Sequence, residues 1–524
     1  MKVKFFAALF LALFLFGCAG PAPLKDKPIK LPKASEADPN GKLVMSLLGE
    51  VSILNPILST DTSSSAVEGT IFNGMTKVNE ELEVIPDLAK SWEVSTDGKL
   101  WTFQLRRDVS WHDGQSFTAH DVVFTFNSIL DPKVNSVRRS DFIIDGEAIE
   151  FKALDKYTVQ AVLPKPFAPF LIRSGMSVIP KHLLAGKDIN TASFNRNPVG
   201  TGPFKFKEWV TGDHVTVVRN DNYYLGQPKL STIIFKIIPD ANAQLIALEA
   251  GQIDETGIPA KDYKRMKAKE GINVFEFDAL NYSYLGFNMA QPKFADKRVR
   301  QALAYATDKE QLVKIIFQGL ASPAHAPSAP ISWAYSDDVA KYPYNPGKAK
   351  QLLKEAGAEN LEFTILINQG NKEREKAAVI LQQQYKKVGV KVKVRVMEWS
   401  AMLKIVNAPT DPKDFDAILM GWSLGLDPDG YSIWHSSQYP KGFNFIEYNN
   451  PEADKLIEQG RLTMDKQERK KVYAKLFKII ADDQPYIFLW YPKAVAGVRE
   501  RVGGLSKPGP AGLMLNLEKI FVTK

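Results

Sequence analysis

Cysteine is almost absent: the 524 residues contain one, Cys18. A lone thiol excludes a disulfide framework and a cysteine-based zinc site. Histidine is also scarce. His112, His120, His182, His214, His325 and His435 include no H-E-x-x-H and no pair at helical ligand spacing, so no metal site is expected. There is no Walker A sequence and no G-x-G-x-x-G after a strand, so no cofactor is expected either. Past residue 16 no apolar run approaches the roughly 20 residues that span a bilayer. The mean hydropathy of −0.19 likewise excludes a polytopic membrane protein. The formal charge is +8, but the basic residues are dispersed. Their longest tight cluster is Lys386-Lys387 with Lys391, Lys393 and Arg395, without the interleaved aromatics of a nucleic-acid stripe, so no nucleic acid is expected as a partner.

The strongest short signal is N-terminal. Lys2 and Lys4 precede an unbroken apolar run, Phe5 to Phe16, that ends in Leu15-Phe16-Gly17-Cys18. This predicts a signal peptide over residues 1–17. A small residue before a cysteine at the end of such a run resembles the bacterial lipobox, which implies cleavage before Cys18 and a diacylglycerol on its thiol. Acyl chains partition into a bilayer at about 0.8 kcal/mol per buried CH₂, enough to tether a soluble body. Residues 18–40 carry Pro21, Pro23, Pro28, Pro32 and Pro39. They are expected to form a stiff, solvated tether outside the fold.

From Gly41 onward strand and helix patterns alternate. Lys42 to Leu48, Leu100 to Leu105, Val215 to Arg219, Ile233 to Ile238, Leu361 to Ile367, Asp416 to Met420 and Tyr486 to Trp490 are apolar, β-rich runs, and Val390 to Val396 alternates strictly. Thr118 resembles an N-cap, with Asp121 at N3, before a helix to Leu130. Helices are expected over Ala243–Ala250, 346–356, 372–387, 451–461 and 466–482, and one long helix over Asp296–Phe317. Such alternation argues α/β lobes with mixed sheets.

One motif suggests catalysis. Gly421-Trp422-Ser423-Leu424-Gly425 fits G-x-S-x-G, with Asp427 and His435 following in the order of a hydrolase triad. The nucleophile elbow needs a helix directly after the serine. Here Leu426-Asp427-Pro428-Asp429-Gly430 is turn chemistry instead, and triad partners normally come from separate strand ends. A catalytic residue is therefore not expected, and neither is an enzyme.

Taken in order, several segments form a collinear set: 87–126 (DLAKSWEVSTDGKLWTFQLRRDVSWHDGQSFTAHDVVFTF), 198–209 (PVGTGPFKFKEW), 219–230 (RNDNYYLGQPKL), 247–254 (ALEAGQID), 284–289 (YLGFNM), 298–313 (RVRQALAYATDKEQLV), 415–422 (FDAILMGW) and 481–491 (ADDQPYIFLWY). This set resembles the family-5 extracytoplasmic solute-binding proteins, the dipeptide- and oligopeptide-binding subunits of ABC importers, from about Lys42 to the C-terminus. The resemblance implies a two-lobed α/β fold of the periplasmic-binding-protein type II, with a hinge and an extra domain inserted in lobe I. Lobe I would comprise 41–73, 200–276 and 488–524, the inserted domain 74–199 and lobe II 277–487. It further implies an extracytoplasmic monomer, anchored at the cell membrane through Cys18, that encloses a peptide or small-molecule ligand between its lobes and hands it to the permease subunits.

In peptide-binding relatives the ligand backbone pairs like an added strand. On this chain the resemblance implies pairing by Thr60, Asp61, Thr62, Ser63 and Ser64 and by Trp422, Ser423, Leu424 and Gly425, with Gly425 permitting close approach. Trp399 and Trp422 match the family's pocket tryptophans. Enteric relatives carry G-W-x-x-D, whose aspartate holds the ligand's α-ammonium. Here Gly425 stands at that place and Asp427 is the nearest acid. The missing anchor also leaves room for an oligosaccharide or other non-peptide solute, for which Trp399, Trp422, Trp434 and Tyr431 are stacking candidates. A serine hydrolase and a generic peptide-holding chaperone are the weaker alternatives.

Overall fold

A computed structural model describes residues 27–524. Its spine is one mixed sheet of twelve strands: β1 (Lys42–Leu47), β2 (Phe204–Val210), β3 (His214–Arg219), β4 (Thr232–Ile237), β5 (Glu255–Gly257), β6 (Ile272–Asp278), β7 (Asn281–Phe287), β8 (Ala321–Pro323), β9 (Glu362–Asn368), β10 (Lys391–Met397), β11 (Ala417–Ser423) and β12 (Tyr486–Arg499). The order is β2-β3-β4-β1-β5-β12-β7-β11-β9-β10, with β6 and β8 also pairing with β12. Parallel pairs (β1 with β4, β9 with β10) lie beside antiparallel ones (β7 with β11). Helices cover the faces, giving two α/β lobes as expected.

β12 belongs to both lobes. Its first half pairs with β7 through Trp490 and with β8 through Pro492. Its second half, Lys493–Arg499, pairs with β6, and residues 496–498 also pair with β5. The run Tyr486-Ile487-Phe488-Leu489-Trp490-Tyr491 is buried throughout, because a central strand packed on both faces needs continuous apolar side chains. The sequence suggested a strand ending at Trp490, but backbone pairing carries it nine residues further.

Between β1 and β2 lies a separate four-stranded antiparallel sheet, in the order Ala89–Val94, Leu100–Leu105, Thr158–Val162, Glu150–Asp155. A helix, Ala119–Leu130, packs on it through Phe126, stacked at 4.1 Å on Phe151. Thr118 starts this helix as expected, its N–H bonded to Asp121 Oδ2 at 2.9 Å. The chain leaves the first lobe after the helix Thr62–Ile71 and returns beside it, where Gly202 N–H bonds Ile71 O at 2.8 Å.

Two expectations need correction. The long helix over 296–317 is two helices, Lys297–Tyr305 and Lys309–Phe317. Thr307 bonds back to Leu303 O, and the Asp308 side chain accepts from Gln311 N–H, so a new N-cap interrupts the apolar periodicity. The tether expected to run free to residue 40 is docked from Lys27 onward. Lys27 pairs with Glu500 and Glu270, Lys30 exchanges backbone bonds with the Asn273 side chain, and Asp38 N–H meets Val522 O at 2.8 Å. Cys18 and the 1–17 signal segment lie outside the described residues.

Candidate ligand-binding cleft

The two lobes and the inserted domain enclose a cleft of about 730 Å³. The first lobe contributes Gly49 and Thr60 to Ser63, and the inserted domain contributes Arg138 and Arg173. The second lobe contributes Arg374, Trp399 and residues 420–430. The lobes touch along both rims. On one rim Asp240 pairs with Lys372 at 2.8 Å and Asn407 donates to Thr60 Oγ1 at 3.2 Å. On the other, Arg173 Nη2 lies 3.4 Å from Asp429 Oδ2, and Arg461 Nη2 donates to Ser140 O at 2.8 Å. The Trp399 ring lies against Gly49, where a Cβ would come within 2.6 Å of Cδ1, so the first lobe's backbone seats that indole.

β11 supplies the wall expected to pair with a ligand. Leu424 N–H is spent on Leu280 O at 2.6 Å. Antiparallel alternation therefore turns the backbone groups of Gly421, Ser423 and Gly425 away from β7. β9 meets β11 only at Ala417 and Ile418. The edge from Gly421 to Gly425 thus faces the cleft as a row of N–H and C=O groups. A Cβ at Gly425 would meet nothing nearer than 3.9 Å, so packing within the protein does not demand glycine there. Trp422 rests on Phe445 at 5.4 Å, with its Nε1 3.4 Å from Tyr486 OH.

The other expected pairing segment is not extended. Thr62, Ser63 and Ser64 form the first turn of the helix Thr62–Ile71, capped by Asp61, whose Oδ1 accepts from Ser64 N–H at 2.8 Å. Ser52 and Ser64 hydroxyls take the second carboxylate oxygen. This segment offers the cleft free first-turn N–H groups rather than a strand edge, and Ser64 sits behind the wall. The D-T-S-S run is itself an N-cap signal.

Asp427 does not wait for an ammonium group. Arg469 grips it in a bidentate pair, both N···O distances 2.8 Å. Asp429 is fully enclosed between Arg173 and Arg461. Burial pushes its pKa up, but Arg461, Arg173, the Tyr431 N–H and Arg469 outweigh burial and hold it below the usual carboxylate value. Asp61, Asp427 and Asp429 are the carboxylates of the cleft lining, and all three are engaged.

The triad geometry fails. His435 Nδ1 bonds Ser437 at 2.8 Å and Nε2 faces Glu458 at 3.4 Å, while Asp427 serves Arg469. After Ser423 the chain stays irregular until Tyr431–Trp434. Two of the four stacking platforms proposed for a sugar are also used up, while Trp399 and Trp422 line the cleft. Trp434 is 3% exposed against Tyr486 and Tyr448, and Tyr431 lies between His435 at 4.1 Å and the Arg461 guanidinium at 4.2 Å.

Residues 83–444 match the family described as bacterial extracellular solute-binding proteins, family 5. The chain belongs to this family. It is 37% identical to the oligopeptide-binding protein AppA of Bacillus subtilis (strain 168), over 98% of this chain and 97% of that protein. The solved structure of that AppA in complex with a nonapeptide superposes with a TM-score of 0.87, covering 92% of this chain and 99% of that one. NikZ from Campylobacter jejuni, solved in complex with Ni(L-His), is 32% identical with a TM-score of 0.84, covering 92% of this chain and all of that one. Among the described residues of the family-5 chain, no helix is long and apolar enough to cross a membrane, and no group of three or more metal-ligating side chains comes together.

Of the residues the sequence pointed to, the structure brings Thr60 to Ser63, Trp399, residues 422–425 and Asp427 to the cleft lining, and leaves out Ser64. Arg138, Arg173, Arg374, Phe443 and Phe445 also line the cleft and arrive from distant segments with no local signal in the sequence.

Proposed function

We propose that the protein captures peptides, oligopeptides among them, between its lobes and delivers them to the permease of an ABC importer, without catalysis. The observation that carries this is the unpaired β11 edge, Gly421 to Gly425, lining an inter-lobe cleft. Such an edge binds any peptide backbone regardless of side chains. The likeness to a nonapeptide-bound relative supports the same reading. On this reading lobe I spans 41–73, 200–276 and 488–524, the insert 74–199 and lobe II 277–487, except that β12 pairs with lobe II strands as far as Pro492, which puts the last crossover at Pro492–Lys493 and not at 488. Mass spectrometry of ligand released from the purified protein tests it. Peptides of mixed sequence are expected, and glycans or metal chelates in their place would overturn it.

With every lining carboxylate engaged, the ligand's α-ammonium has no free partner in the cleft. N-acetylating a peptide should therefore change its Kd by less than tenfold in paired calorimetric titrations. A desolvated ammonium–carboxylate pair would instead cost about 2–5 kcal/mol on truncation.

The protein works as a monomer on the outer side of the cell membrane, held through a lipid on Cys18. Cys18→Ala should move it from the membrane fraction to the soluble fraction with ligand affinity unchanged. Wild-type protein of unlipidated mass would remove the anchor from this account.

A further inference from the structure

The N-terminal strap, docked from Lys27 onward, lies on one face of the first lobe beside a lysine-rich stretch. Lys27 Nζ donates to Lys269 O at 3.3 Å and pairs with Glu270 and Glu500. Three residues on, Lys30 N–H donates to Asn273 Oδ1 at 2.9 Å, and Lys30 O accepts from Asn273 Nδ2 at 2.7 Å. The strap is thus pinned at two points, yet its apolar side chains stay in the open. Ile29 is 52% and Leu31 53% exposed. Ile246 is 67% exposed. It lies one turn before Glu249 on the helix Ala241–Glu249, and Glu249 pairs with Arg265 and Lys269 of the lysine-rich stretch.

On the reading that Cys18 carries the lipid anchor, we propose that this face rests on the anionic headgroups of the membrane, with Ile29, Leu31 and Ile246 entering the interface. The first lobe is then the one held at the bilayer, and the second is the one that swings.

Chain length brings the bilayer to this face. Cys18 stands nine residues before Lys27, so the acylated end reaches no more than about 30 Å from the docked strap. Charge favours the same contact. The strap 27–36 and the stretch 261–270 carry eight basic residues against Glu36, Asp262 and Glu270. Glu249 and Glu500 pair into the same patch, which still leaves three positive charges in surplus. Lys33 and Lys264 are exposed and have no ion-pair partner among the described residues. Basic side chains at an anionic leaflet add an attraction that salt screens within a Debye length. Apolar side chains beside them add burial at the headgroup boundary. The patch buries less apolar surface than an acyl chain, so it orients the body and does not replace the anchor.

The test places one fluorophore on the lipidated protein in vesicles that carry headgroup-labelled nitroxide lipids. Ala268→Cys puts it on the proposed face, at an exposed position next to Lys269. Val379→Cys, on the helix Lys372–Lys386 of the second lobe, is the exposed reference. With phosphatidylglycerol in the vesicles, quenching at 268 should exceed that at 379 by about threefold or more, and the ratio should fall toward equality in phosphatidylcholine alone or at high salt. Combining Ile29→Ser, Leu31→Ser and Lys264→Glu should abolish most of the difference, with Tm and peptide affinity unchanged. Similar quenching at the two positions overturns the membrane-facing role, as does a difference that survives the triple variant. Self-association that the triple variant abolishes also overturns it, by giving the patch to a second copy of the chain. If the wild type has unlipidated mass, the anchor reading falls, and cosedimentation of that protein with phosphatidylglycerol vesicles decides the face. Salt-sensitive binding lost in the triple variant keeps it, and no binding removes both.

Discussion

Asp429→Ala should lower the unfolding free energy by about 3–5 kcal/mol, the cost of leaving a buried guanidinium without its counter-ion. Arg461 is the charge left behind. Its side chain is 4% exposed, and Asp429 is its one carboxylate among the described residues. The loss would also loosen the seam between lobes, since Arg173 reaches Asp429 across it. Urea unfolding of ligand-free protein measures the effect, and a change under about 1 kcal/mol would rule out this role. Asp429→Leu combined with Arg461→Met should recover much of the stability, because removing both charges removes the imbalance. The pH dependence has a definite sign. The folded pKa of Asp429 is depressed, so its contribution is fully present above the unfolded value near 4 and disappears as pH falls through the lower folded value.

Gly370→Val should weaken ligand capture by about 5- to 150-fold, the effect of roughly 1–3 kcal/mol of overpacking. Gly370 follows β9 on the rim of the second lobe with φ +89°, and a Cβ there would sit 2.0 Å from Pro239 O of the first lobe. The clash exists only when the lobes meet, so it acts on closure. The left-handed backbone adds a cost in either state, read as a modest fall in Tm. Calorimetric titration and the radius of gyration with ligand present should agree: weaker binding and a more open particle. Wild-type affinity in a folded Gly370→Val would mean that this rim does not need to close.

Much of this architecture is legible in the residues. The strictly alternating run ending in Val396 can hardly be anything but a strand with one wet face, and it pairs as β10. Thr118 and Asp121 announce a helix start and form one. Local rules fail where two of them compete. Thr60 to Ser64 has residues equally at home in a strand edge or a helix cap, and family resemblance pointed to the strand, whereas Asp61 decides for the cap. The cleft's charges are harder still. Asp427 and Arg469 are 42 residues apart, and Arg173 and Asp429 are 256 apart. Among 67 basic residues, nothing local tells which arginine a given cleft carboxylate pairs with. Only the folded neighbourhood shows which charges meet.

Sharing β12 between the lobes has a mechanical consequence. A loose linker would let the halves drift, and a melted hinge would have to refold at each capture. An unbroken pleated ribbon can instead act as a flexure: bending confined to the backbone near Pro492 and Lys493 would leave the ladder with β7 and the ladder with β6 intact. Opening and closing would then differ by an angle rather than by any loss of secondary structure. Ligand contact energy would go into drawing the rims together, and the pivot would return to the same register after each release.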